Sequence, residues 1–153
     1  MNNVKYFVLE PEVAGGFGER TCFDRSGGGL EVVTLHYKFE GWFGDELVET
    51  SSVFLATERL ASQLKLRNFT GITFNQVEVT VSEIFEELQP NCKLPKWMWL
   101  RVCGEPGRDD FGLYNNARLV VSQQALEVLA AVGLSHAHSI TPFGLPHPWS
   151  GSC

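Results

Sequence analysis

The sequence predicts an α+β domain, a mostly antiparallel sheet with two or three short helices, and three observations predict it. Apolar runs of four to nine residues with period-two alternation recur along the chain, and 15 Gly and 7 Pro punctuate them. Helical stripes are few and short. A unit of strand, hydroxyl residue and helix occurs twice at an offset of 65, with Thr57 matching Ser122, Ala61 matching Leu126 and Leu64 matching Leu129. Two such units beside one sheet give short helices packed on a mostly antiparallel core. A chain of 153 residues fits one domain, read as residues 1–140 with a flexible tail at 141–153.

Taken in order, Lys5 to Leu9 reads as a first strand stopped by Pro11, and a Gly-rich polar loop follows to Gly29. Glu31 to Phe39 alternates as one strand: Val33, Leu35, Tyr37 and Phe39 share a face, while Thr34, His36 and Lys38 form a polar one. Gly41 to Glu46 sets Trp42 and Phe43 between glycines beside two acids, a turn capping the sheet. Val53 to Ala56 is a short strand, Thr57 a cap, and the helix after it buries Leu60, Ala61 and Leu64. Gly71 releases the chain into the β-branched run Ile72 to Val81. A brief acidic helix, Glu83 to Leu88, starts at Thr80 or Ser82 and ends at Pro90.

Leu94 to Cys103 is the strongest strand, with Met98, Leu100 and Val102 on one face and Trp97, Trp99 and Arg101 on the other. Two faces this apolar imply a sheet covered on both sides or joined to a partner. Arg118 to Val121 is a strand, Ser122 a cap, and Gln123 to Ala131 a helix with Leu126, Leu129 and Ala130 inward, ended by Gly133. Ser135 to Ile140 reads as the last strand.

The formal charge is −6, and the first fifty residues, with four Lys/Arg against nine Asp/Glu, carry −5 of it. A charged partner should therefore be basic. No Lys/Arg stripe is present of the kind that releases phosphate counterions, so nucleic acid is not an expected partner. Nor is a membrane: no apolar window approaches a span, and no signal peptide is legible, so the expected compartment is the cytoplasm. Cys22, Cys92, Cys103 and Cys153 lack metal spacing and read as reduced structural thiols.

Asp109 and Asp110 are the obvious candidates for acid–base or metal chemistry, since paired carboxylates divide such roles. Adjacent residues in an extended chain point apart, however, and Arg108 would neutralise one of the two, so the loop Gly107 to Gly112 reads as a charged turn. Its Asp-Phe-Gly triplet lacks every other kinase element. Gly16-Phe17-Gly18 lacks the third glycine of a dinucleotide fingerprint. His136 and His138 alternate on a chain-end strand, too few to hold a metal alone, and Asn68-Phe69-Thr70 is a formal sequon of no expected consequence.

Together the tracts KYFVLEPEVAGGFGE, LHYKFEGWFGDEL, TERLASQL, LPKWMWLRVCGEPGRDDFGL and RLVVSQQALEVLAAVGL resemble the small bacterial immunity proteins of polymorphic toxin systems. The resemblance spans roughly residues 4 to 135 and rests on an order of features, chiefly Gly41 to Leu47, the GRDDFG loop and the repeated cap-plus-helix. Arg67-Asn68-Phe69-Thr70 departs from it where a first Leu-Gly exit is expected, as does everything after Ile140. It implies a cytoplasmic, non-catalytic protein without cofactor or metal that occludes the active site of a cognate toxin domain. The expected partner-binding residues are Trp42, Phe43, Asp45, Glu46, Arg108, Asp109, Asp110 and Phe111. Two other readings stand beside it: an oligomeric scaffold, such as a homodimer through Trp97, Trp99 and Arg101, and a small metal-dependent enzyme using Asp109 and Asp110.

Overall fold

A computed structural model of the chain describes residues 4–144. The fold is α+β, with mostly antiparallel sheets and three short helices, and the internal repeat organises it. One half comprises β1 (Tyr6–Glu10), β6 (Leu47–Thr50), β7 (Val53–Thr57), α1 (Glu58–Leu66) and β8 (Ile72–Asn75). The other comprises β10 (Trp97–Val102), β11 (Phe111–Tyr114), β12 (Arg118–Ser122), α3 (Gln123–Gly133) and β13 (Ser139–Phe143). The sheets run β6-β7-β10-β8 and β11-β12-β1-β13, so each half lends its first strand to the other half's sheet.

The correspondence holds in register. Trp97 pairs with the cap Thr57, and Tyr6 pairs with the cap Ser122. Lys96 and Lys5, one residue before each, accept the N–H of the first helical residue, Glu58 and Gln123, both at 2.9 Å. Each cap hydroxyl accepts an N–H of its helix, Leu60 at 3.1 Å and Ala125 at 3.2 Å. Both hairpins turn on two left-handed residues, Ser51 and Ser52 in one, Asn115 and Asn116 in the other. Thr50 pairs with Val53, but Tyr114 pairs with Arg118, so Ala117 is one extra residue in the second turn. The repeat is therefore offset by 64 before the turn and 65 after it.

Inserted around this frame are β2 (Gly15–Phe17), β3 (Cys22–Asp24), β4 (Glu31–Thr34) and β5 (His36–Phe39) in the first half, and β9 (Glu78–Val81) and α2 (Glu83–Leu88) between the halves. β2, β5 and β9 make a third sheet, in which β5 and β9 run parallel, and β3 pairs with β4. Two cores result. Leu9, Phe54, Leu60, Leu64, Leu100, Phe111, Leu119 and Leu129 fill one between the two main sheets and the helices α1 and α3. Tyr37, Phe39, Leu55, Phe85, Trp97 and Trp99 fill the other, where the third sheet and α2 cover the back of the first. Phe54 and Leu55, adjacent on β7, point into different cores, and so do Trp99 and Leu100 on β10.

Several expectations are corrected. The stretch expected as a loop to Gly29 contains β2 and β3, because Gly15 lets β2 approach β5 so closely that a Cβ there would lie 2.0 Å from the Lys38 carbonyl oxygen. Glu31 to Phe39 is two strands in different sheets, broken at Leu35, and Ile72 to Val81 is likewise two. His36 is fully buried, not on a polar face: its Nδ1 accepts the Arg20 N–H at 3.1 Å and its Nε2 meets the Thr80 hydroxyl at 2.7 Å. In α3 Leu129 is buried and Leu126 packs against the first core as expected, Ala125 and Val128 are buried too, and Ala130 instead faces solvent. The last strand begins at Ser139, so His136 and His138 precede it, and it continues through Phe143 into the expected tail, where Thr141 to Phe143 pair with Val8 to Tyr6. The remainder of the expected tail, from residue 145, lies outside the described residues. Cys22 and Cys103 are exposed thiols. No described helix is long and apolar enough to cross a membrane.

Two acids, the half-buried Glu49 and the buried Glu12, carry a pH signature. Burial pushes the carboxyl of Glu49 above its ordinary value of 4.5, with Glu10 adding to the rise and the Ser52 N–H opposing it. Glu12 shifts the same way, again chiefly by burial. A raised folded value means that the native state holds a proton the unfolded chain has released. These groups therefore add stability below the ordinary carboxylate value and lose it as pH rises through the folded value. Glu49→Gln keeps an acceptor for Ser52 and removes the titration. Its unfolding free energy should change less than the wild type's between about pH 4.5 and 7 in urea titrations. Parallel profiles for the two proteins would refute the assignment.

Candidate functional site

The residues singled out in the sequence fall into two tracts, and the repeat makes them equivalent. Asp45-Glu46-Leu47 corresponds at an offset of 64 to Asp109-Asp110-Phe111, the three residues that lead into the first strand of each hairpin. In each tract the second acid binds the hydroxyl that caps the following helix. Thr57 Oγ1 donates to Glu46, and Ser122 Oγ donates to Asp110 at 2.8 Å. Each tract also holds the exit of the other half's helix. The Glu46 N–H donates to the Gly133 carbonyl at 2.9 Å, while Asp110 accepts the Thr70 N–H at 3.0 Å and the Phe111 N–H donates to the Thr70 carbonyl at 3.1 Å. These hydroxyl–carboxylate pairs are committed to helix caps, since the buried hydroxyls also accept helix N–H groups.

Asp45 differs from an acid offered to a partner. It is 2% exposed, and its carboxylate accepts the N–H groups of Ser135 at 2.8 Å and His136 at 2.7 Å, with His136 Nδ1 at 3.1 Å. Glu46 is half-buried beside Arg59 at 3.3 Å. Trp42 is half-buried: its ring stands edge-on to Trp97 at 5.5 Å, its Nε1 donates to the Asp45 carbonyl at 2.8 Å, and its backbone is locked on both sides by the Gln89 amide. Phe43 alone in this tract is fully presented, 75% exposed, with its N–H donating to Glu12 at 2.7 Å and its ring stacked 5.5 Å from that of His136.

In the second tract Arg108 is the presented residue, loosely paired with Glu105 at 3.3 Å. Asp109 turns back to accept the Glu105 N–H at 2.7 Å, so the two adjacent aspartates do diverge. Phe111 is fully buried in the first core, where alternation along β11 points it inward. Of the eight expected contact residues, then, Phe43 and Arg108 are free to touch a partner, Trp42, Glu46, Asp109 and Asp110 are partly covered, and Asp45 and Phe111 are interior. The Trp97 and Trp99 face expected to pair with another copy is covered from within by the third sheet and α2, and Arg101 lies over the Trp99 ring at 4.7 Å.

Among the described residues the one group of three ligand types within mutual reach is Glu12, Asp45 and His136, not the aspartate pair of the GRDDFG loop. Glu12 accepts the Asp45 N–H at 3.2 Å besides that of Phe43, so all four carboxylate oxygens of Glu12 and Asp45 already accept N–H groups. Their present work is to tie the Trp42 loop to the segment after α3. Sequence reasoning missed Glu12, Gln89 and His136 in these roles. The signal available was the 64-residue match of the two acid pairs, which marks them as structural before any burial is known.

Comparison with models of known protein families gives no match to this chain, and comparison with curated proteins gives none either.

Proposed function

We propose that this protein is a cytoplasmic, non-catalytic immunity protein that binds and neutralises a cognate bacterial toxin domain by covering its active site. The observation that carries the reading is the tract Gly41 to Leu47, one of the most specific parts of the resemblance. There Phe43 stands exposed on a loop whose flanking groups are all fixed, Trp42 by Gln89 and Trp97, Asp45 by Ser135 and His136. An aromatic residue whose backbone is fixed before contact loses less conformational freedom on binding than one on a loose loop, which favours affinity from a small surface. The net charge of −6 supports a basic partner drawn in by long-range attraction.

Co-expression with the product of the adjacent gene tests the proposal. That product alone should arrest growth, and this protein should restore growth and co-purify with it at equal stoichiometry. A harmless neighbour, or a toxic one that this protein neither binds nor silences, ends the reading.

A further inference from the structure

The repeated frame needs neither the insertion between β1 and β6 nor the one between β8 and β10, yet these insertions carry seven of the ten large apolar side chains exposed among the described residues: Val13, Phe23, Leu30, Val33, Phe43, Ile84 and Leu88. Exposed apolar residues scattered singly carry no meaning, but several gathered in one patch rimmed by polar groups mark a contact surface. Three of the seven flank one hydrogen-bonded lock between α2 and the Gly41–Gly44 loop. Leu88 precedes and Phe43 follows the lock in which Gln89 and Trp42 exchange hydrogen bonds of 2.6 and 2.9 Å, and Ile84 lies one helical turn before Leu88 on α2. Phe43 is 75%, Leu88 71% and Ile84 55% exposed.

Carboxylates surround this patch. The parallel strands β5 and β9 deliver Glu40 and Glu83 side by side, since the Ser82 N–H donates to the Phe39 carbonyl at 2.9 Å. Glu86 and Glu87 follow on α2. All four are exposed, none forms an ion pair among the described residues, and the segments 40–46 and 82–92 contain no Lys or Arg. Like charges so placed repel phosphate backbones and anionic lipid, and they attract a cationic protein surface. Phe85, fully inside the second core, and the Ser82 cap hold α2 in place.

We propose that α2 and the Gly41–Gly44 loop form the docking face for a basic protein, with Phe43, Ile84 and Leu88 entering an apolar crevice and Glu40, Glu83, Glu86 and Glu87 meeting Lys and Arg around it. This identifies the face of the inhibitor proposed above and rests on that reading. The GRDDFG loop, with its one presented residue a cation, stands outside it.

The experiment is calorimetric titration of the full chain with the purified product of the adjacent gene. The variants are Leu88→Arg, Phe43→Ala and Glu83→Lys/Glu87→Lys, with Glu127→Lys on the exposed side of α3 as control. Leu88→Arg and Phe43→Ala should each weaken binding by about thirtyfold or more, as buried anchors do. The double charge reversal should weaken binding and reduce its salt dependence across titrations at several salt concentrations. The control should bind as wild type, and thermal melting should show every variant folded. Wild-type binding that all three variants retain within about threefold overturns the face and leaves the inhibitor reading standing. No wild-type binding removes both. A wild-type dimer in light scattering that Leu88→Arg dissociates would place a second copy on the patch, and that too overturns the proposal.

Discussion

Phe111→Ala is expected to lower the unfolding free energy by about 3–5 kcal/mol, the range for removing a fully buried aromatic ring. Phe111 has no exposed surface and sits where the two main sheets and the paired helices meet, with Phe69 edge-on at 6.2 Å. The upper half of the range applies, because the backbone around it cannot move in to fill the void. Gly71 and Gly104 press on the Phe111 carbonyl so tightly that a Cβ on either would lie 2.1 or 2.2 Å from its oxygen. The cavity therefore persists, and its volume adds to the lost transfer energy. For a domain stable by about 5–15 kcal/mol this is a large share, visible as a shifted urea midpoint at constant slope. A loss under about 1 kcal/mol would mean the site collapses freely, against the packing described.

That a residue of a GRDDFG loop belongs to the core shows where a single chain is legible and where it is not. The caps Thr57 and Ser122 and the buried stripe of α1 are local properties, written in spacing and hydroxyl position, and they fold as read. The exchange of β1 and β10 between halves is non-local. Nothing in the alternation of Tyr6 to Glu10 says that its partners lie more than a hundred residues away on β12 and β13. Burial of polar groups is equally non-local. His36 falls in a polar register along its strand and is buried because the segment around Arg20 closes over it, with Gly18 against its ring. In α3 an apolar sequence of Ala, Leu and Val leaves the stripe degenerate by one position, and contact with α1 decides it.

The site residues follow the same logic. Spacing showed two acidic tracts of similar composition, and both looked like surface. In the fold they are one position of a repeat, used twice to anchor a helix cap and the exit of the opposite helix. What remains for contact is set by the insertions, whose composition names no partner beyond its charge.

Asp45→Asn tests the difference between the two copies. The side chain keeps its shape and one acceptor, but its amide now faces an N–H of Ser135 or His136, and the charge that strengthened the bonds is gone. The expected loss is about 2–4 kcal/mol, from at least one unsatisfied buried donor together with weaker bonds to the rest. Asp109→Asn, at the equivalent position, should cost less than about 1 kcal/mol, because its one bond to the Glu105 N–H is open to water that can replace it. The contrast arises from the insertion. Glu12 and the Trp42 loop close over Asp45, whereas the second half has only the short turn Cys103 to Arg108 before its acid pair. Amide exchange gives an independent measure: Ser135 and His136 should lose protection in Asp45→Asn before β13 does, since Asp45 holds the segment leading into that strand. Equal losses for the two asparagine variants would show that burial at Asp45 contributes nothing, and would return it to the surface.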